Sequence, residues 1–316
     1  MIYRTGALPE YDQLPRIEKL DLPHAWDYFG ADDQLGTLNF LTDEVVRGAL
    51  RSATSGKVIA LNLPVDQPDP PLFNRAPTEH HFFTHDRNTW DDWLDAYYPQ
   101  GSTQWDGFRH VRCREFGFFG GVDADPSADR SWLGVDKWAQ RGIVGRGVLL
   151  DVETFLSRTG DGIACDEEFV IGPALLEAVA HAEGVEIQHG DILLVRTGWP
   201  AKYARLSAAA RSNLVAHKTI PGLHAGEETA RRLWNWHIAA LVTDLPAVES
   251  IPGDPQVGSL HRRLLPLLGL PLGELFDLEA LADHCATTKR FTFLFTSVPI
   301  NLPGGCGSPG NALSIF

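Results

Sequence analysis

QGSTQWDGFRH, residues 100–110, places a carboxylate, Asp106, four positions before an imidazole, His110, with two amides, Gln100 and Gln104, ahead of them. A hard oxygen donor beside a borderline nitrogen donor suits Zn²⁺, Mn²⁺ or Fe²⁺. Pairs at this spacing also occur in ordinary hydrogen-bonded turns. By itself the stretch fits either a metal site or a polar turn around Trp105.

The surrounding segment, about 66–135, is rich in Pro, Asp, Trp, Phe and His and has little periodicity, as functional loops often do. Outside it, strands alternate with helices. KVIALNLPV (57–65), GVLLDV (147–152), DILLVRTG (191–198), IAALVTD (238–244) and FTFLFTSVPI (291–300) are short apolar runs bounded by Gly, Asp or Pro, and read as strands. TDEVVRGALRSA reads as a helix capped by Thr42, with Asp43 and Glu44 suiting its positive end. PALLEAVAHAEG stops at Gly184, a C-cap residue, and AGEETARRLWNW and SLHRRLLPLL have the same helical spacing. The chain is mixed α/β.

Composition excludes some functions. A hydrophobic fraction of 44% over 316 residues is enough for a large core. The net charge of −14 argues against nucleic acid or an anionic membrane as the main partner, since both are held by Lys and Arg clusters. No apolar run approaches the roughly 18 residues that span a bilayer. Cys113, Cys165, Cys285 and Cys306 form no CxxC pair, and no secretory signal is visible, so a soluble cytoplasmic protein with reduced thiols is expected. GxSxG, GxxxxGK[ST] and HExxH motifs are absent, and GRGVLLD lacks the third glycine of a dinucleotide fingerprint.

The spacing of the whole stretch then adds information. QGSTQWDGFRH resembles HxGTHxDxPxH, the signature of the cyclase family that includes bacterial kynurenine formamidases, isatin hydrolases and trans-dienelactone hydrolases. Gln100 and Gln104 stand where the first two histidines fall, while Asp106 and His110 match the Asp and the last His. Ser102 replaces Gly and Phe108 replaces Pro. GRGVLLDV, GDILLVRTGW, TDLPAVE ending at Glu249, HRRLLPLLGLPLGELFDLEAL and PINLPGGCGSPGNALSIF are similar to later blocks of the family's longer members, in the same order.

The resemblance implies an α/β, kynurenine-formamidase-like fold with a mixed, barrel-like β core flanked by helices. It implies one domain over 1–316, with 1–56 as an N-terminal helical extension, and assembly as a homodimer or higher homo-oligomer. It implies a metal site of Asp106, Gln104, His110, His261 and Glu274, with His110, His261 and Glu274 also carrying catalysis. The activity implied is metal-dependent hydrolysis of a small cyclic or aromatic amide, imide or lactone. Replacing two imidazoles by weaker, harder amide oxygens argues against a two-zinc centre. One divalent ion, Mn or Zn, is expected. The same two glutamines favour a competing reading, a metal-free relative acting as a binding protein or as an acid–base lyase or cyclase.

Further residues are candidates for the substrate pocket. Trp105, Phe82 and Phe108 are planar surfaces on which a flat ring could stack, His81 lies among three loop histidines with His80 and His85, and Arg75 could hold a carboxylate bidentately. Cys113, three residues after His110, raises a thiol nucleophile, which needs an adjacent base that sequence cannot show.

Overall fold

A computed structural model describes residues 8–316. Its centre is a nine-stranded mixed sheet. In chain order the strands are β1 (Val58–Ala60), β4 (Gln104–Asp106), β5 (Ile143–Asp151), β6 (Ile192–Arg196), β7 (Ala240–Thr243), β8 (Leu272–Glu274), β9 (Thr292–Ser297), β10 (Gly307–Pro309) and β11 (Ala312–Ile315). The numbers β2 (Glu79–Asp86) and β3 (Thr89–Asp95) belong to a separate hairpin.

Across the sheet the order is β10-β4-β8-β7-β6-β5-β9-β11-β1. Strands β8, β7, β6 and β5 pair in parallel, and the remaining pairs are antiparallel. The parallel strands β6 and β7 are continuous apolar runs because both their faces are covered, and their side chains from Ile192 to Val195 and from Ala240 to Val242 are fully buried. In β5, Gly147 lies opposite Phe293 of β9, and a Cβ there would sit 2.2 Å from the Phe293 ring.

The two ends of this order meet. Strand β10 stands first and β11 eighth, yet only Gly310 and Asn311 separate them in sequence. Three peptide steps span about 10 Å at most, so the sheet has to curl. Asn62, just past β1, bridges Phe276, just past β8, and the Gly310 amide donates to the Thr103 carbonyl at 2.9 Å. The expected barrel-like β core is present as a curled half-barrel.

Helices cover it. In α1 (Asp43–Leu50) the Thr42 hydroxyl accepts from the Val45 amide at 3.3 Å, and α2 (Pro173–Glu183) begins with proline and ends at Gly184 in a left-handed conformation (φ 68°). The helical patterns expected at 225–236 and 259–268 give α3 (Glu227–Asn235) and a single turn, Leu260–Arg262, that opens into a wide π turn, Arg263–Leu268, holding Pro266. A last helix, α4 (Glu279–Thr288), follows β8.

Two expectations are corrected. Among residues 8–56 only α1 is α-helical; the rest is turns and short pairings such as Arg16–Ile17 with Leu22–Pro23, with Tyr11, Leu38 and Phe40 buried in the core. Within 66–135, β2 and β3 form an antiparallel hairpin nearly all of whose side chains are exposed.

Candidate active site

Strand β4 builds the site by alternation. Successive side chains point to opposite faces, so Gln104 and Asp106 share one face and Trp105 takes the other. Strand β8 pairs with β4 in the register Glu274↔Gln104 and Leu272↔Asp106, which puts Glu274 on the face of Gln104. There Gln104 Nε2 donates to Glu274 Oε2 at 2.6 Å, and the Val248 amide donates to Glu274 Oε1 at 2.8 Å.

His261 comes from the Leu260–Arg262 turn. Its Nε2 lies 3.1 Å from Glu274 Oε1 and 3.6 Å from Asp106 Oδ2. Its Nδ1 donates to Glu249 Oε2, which also lies 3.3 Å from the His261 amide. The other oxygen, Glu249 Oε1, accepts from Ser259 Oγ at 2.9 Å. His110, in the turn after β4, presents Nε2 3.6 Å from Asp106 Oδ2 and remains 30% exposed at its side chain, whereas Asp106 is fully buried. Donor atoms of Asp106, His261 and Glu274 all lie within 4.8 Å of one another. A cavity of about 550 Å³, lined in part by Arg75, His110, Glu249, His261 and Glu274, opens onto this cluster.

The electrostatics follow from three carboxylates around one imidazole. Burial alone would push the Asp106 carboxyl up, but the charges of His110, His261 and Arg75 hold it below its usual range. Burial, and then the Asp106 charge, push Glu274 up. Burial disfavours a charged His261, yet Glu249 and the bonds to Asp106 and Glu274 outweigh it and lift the imidazole well above its usual range. Glu249 is correspondingly held low by His261 against its own burial.

One feature is unsatisfied. Both oxygens of Asp106, and Oε1 of Gln104, are buried without a hydrogen-bond partner among the described residues. The His110 and His261 imidazoles stand off at 3.6 Å from Oδ2, and a buried carboxylate without a hydrogen bond is costly unless a cation or donor meets it more closely. Two carboxylates, one imidazole nitrogen and a spare amide oxygen form a donor set that fits a single divalent cation.

The structure thus brings together Gln104, Asp106, His110, His261 and Glu274, with Arg75 on the cavity wall. It does not bring the expected aromatic residues there. Trp105 faces the core, where its indole donates to Ser297 Oγ at 2.9 Å and its ring meets Phe276 and Phe295 edge-on. Phe108 is buried against Phe119 and Trp138. Phe82 stands exposed on the hairpin, and His81 stacks there on Trp93 at 4.8 Å. His80 and His85 face Asp92 and Asp91 at 2.6 and 2.7 Å, so the three histidines do not converge. Burial pushes the Cys113 thiol up, away from the thiolate a nucleophile needs. Glu249 is the residue that sequence reasoning missed. In the sequence it stands only as the end of the TDLPAVE block that resembles the family, with no role attached.

Among solved structures, a crystal structure of a novel cyclase is similar to 93% of this chain and 99% of its own, at 29% identity and a TM-score of 0.82. Isatin hydrolase A from Labrenzia aggregata, bound to benzyl benzoate, shares the fold over 86% of this chain and 97% of its own, at 18% identity and a TM-score of 0.60. Isatin hydrolase A from Ralstonia solanacearum does so over 87% and 98%, at 16% identity and 0.59. No curated protein matches. The cyclase family model matches residues 53–250, more than half of the chain and including the stretch that supplies Gln104, Asp106 and His110; the protein belongs to the cyclase family.

Proposed function

We propose that this protein is a metal-dependent hydrolase of a small cyclic or aromatic amide, imide or lactone. The observation that carries this reading is Asp106: fully buried beside His261 and Glu274, with no hydrogen bond to either oxygen and only the His110 and His261 imidazoles 3.6 Å away. Asp106, Glu274 and His261 Nε2 would hold one divalent ion, Mn or Zn, with Gln104 Oε1 as a further donor on the same face. When bound, such an ion makes water more acidic and polarises a carbonyl oxygen.

The chain's own groups divide the remaining work. Glu249 fixes the His261 ring through Nδ1, so that Nε2 points at Asp106 and Glu274. His110 lines the cavity and keeps contact with solvent, and its Nε2 would take a proton from the attacking water and return it to the departing nitrogen or oxygen. Water's hydroxyl joins the carbonyl carbon and its proton ends on the leaving atom.

A second reading has one observation in its favour. Gln104 Nε2 already satisfies Glu274 Oε2, as in a site that works without an ion, as a binding protein or an acid–base lyase or cyclase.

Metal analysis of protein purified without chelator, after Mn²⁺ or Zn²⁺ supplementation, separates the two. About one ion per chain is expected, together with hydrolysis in a screen of lactones, N-formyl anilines and cyclic imides that EDTA abolishes and the ion restores. Asp106→Asn should lose the ion and lower kcat/KM by about 10³-fold or more. An ion-free protein with chelator-resistant activity would establish the second reading.

We also propose a homo-oligomer. A lone two-stranded hairpin is marginal in water, yet β2–β3 exposes Phe82 and Trp90 at 63% and 65%. A second copy would cover that arm. Sedimentation should give a multiple of 34.8 kDa; a monomer at every concentration would end it.

A further inference from the structure

The cavity wall sets three arginines against the carboxylates of Glu249, Asp254 and Glu274, in an acidic protein. Arg75, Arg114 and Arg262 all line it, while the chain as a whole carries −14. None of the three side chains has an ion-pair or hydrogen-bond partner among the described residues. Elsewhere, partly buried arginines are engaged: Arg146 forks onto Asp191 at 2.7 and 2.8 Å, Arg196 onto Glu279 at 2.9 Å, and Arg109 donates to the carbonyls of Pro126 and Asp129.

Arg75 is the informative member. Arg114 and Arg262 are exposed at the mouth, where water serves them, but Arg75 is only partly exposed. Burial works against its charge, and the fields of Asp106 and Glu274 offset this in part. Its guanidinium is therefore near enough to feel both carboxylates, yet forms no ion pair with either. Removing a guanidinium from water without a partner is unfavourable.

The backbone also holds it there at a cost. Phe73 and Asn74, immediately before it, both adopt left-handed conformations (φ 57° and 60°), which is uncommon for a bulky residue such as Phe. That turn brings Phe73 and Arg75 to the same wall, with the guanidinium 5.4 Å from the Phe73 ring centroid. A guanidinium backed by an aromatic ring keeps its N–H fork free to receive a carboxylate through two parallel bonds.

We propose that the substrate carries a carboxylate besides its scissile carbonyl, that Arg75 receives this carboxylate, and that Arg114 and Arg262 draw the anion to the mouth. The inference rests on the hydrolase reading and narrows it to anionic amides, imides or lactones. The carboxylate supplies the partner that Arg75 lacks within the chain, and it orients the carbonyl toward Asp106, His261 and Glu274. A neutral substrate of the same shape leaves Arg75 part-buried and unpaired, so the preference has a penalty on one side as well as a gain on the other.

The test compares a carboxylate-bearing substrate from the hydrolysis screen with its methyl ester, in wild type, R75Q and R75K, at matched metal content. Wild type should favour the carboxylate by about 10–100-fold in kcat/KM, the range of a charge-assisted contact. R75Q should abolish that preference chiefly through KM, costing the carboxylate substrate about tenfold or more beyond whatever the ester loses, and R75K should fall between. Equal loss on both substrates in R75Q, or no preference in wild type, overturns the proposal. Binding of benzoate against benzamide, followed by calorimetry, gives a readout independent of turnover. Benzoate binding weakened about tenfold or more by R75Q upholds the anion site even if no substrate is hydrolysed, in which case the hydrolase reading alone has failed. Equal benzoate affinity in wild type and R75Q rejects the anion site.

Discussion

His261 faces carboxylates on both sides, and Glu249 decides which nitrogen does what. With Nδ1 committed to Glu249, Nε2 is left for Asp106 and Glu274. Glu249→Gln should therefore weaken metal affinity by about 10–100-fold, read by competition with a chromophoric chelator, while leaving the fold intact. An unchanged affinity would make Glu249 a bystander. Asp106, His110, His261 and Glu274 were legible from the motif and its downstream block. Trp105 was misread because adjacency in sequence was taken as adjacency in space, which a strand's twofold alternation denies. Glu249 carried too weak a signal, since a single acid after an apolar run is common.

At the level of elements, the loops at the ends of the parallel strands are tied by carboxylates. Asp244, just after β7, accepts from the Thr197 amide at 2.9 Å, from its hydroxyl at 2.8 Å and from the Gly198 amide at 2.6 Å, all just after β6. Asp244→Ala strands these buried donors and should cost about 3–5 kcal/mol, measured as a lower urea midpoint. Glu183, the last residue of α2, behaves differently. One oxygen accepts from the Asp151 amide at 3.0 Å and the other is buried without a partner, and burial raises its pKa to about 8. A carboxyl raised above its ordinary value near 4.5 favours the folded state at low pH, and that contribution is lost as pH climbs from there through about 8. Wild type should thus lose up to about 3 kcal/mol relative to Glu183→Gln between about pH 6 and about pH 9 in urea titrations. Parallel pH profiles would contradict this. The buried strands and capped helices were readable because apolar runs, Thr42 and Gly184 mark them. The β2–β3 hairpin was not, because both its faces mix His, Asp, Phe and Trp and give no apolar–polar alternation.

For the molecule as a whole, the barrel-like core was expected from the family resemblance alone. No pattern in the residues announced it, because β4, β8 and β10 have three residues each, too short to show a period. Closure depends on the end of the chain. Strand β10 forms one side of β4, and β11 joins β9 to β1. Removing residues 307–316 should leave a protein that neither folds cooperatively by circular dichroism nor binds an ion; a soluble, metal-binding truncation would show that β8 alone can hold β4 in place.

The strand that carries Asp106 has both its neighbours far downstream, at 272–274 and 307–309. At about 5–20 residues per second, a ribosome finishes the second neighbour roughly 10–40 s after making Asp106. For most of that interval His261 and Glu274 have not yet been made, and only Gln104 and His110 accompany the acid. The three donors Asp106, His261 and Glu274 therefore meet on a completed sheet only once residues as far as 309 have been made.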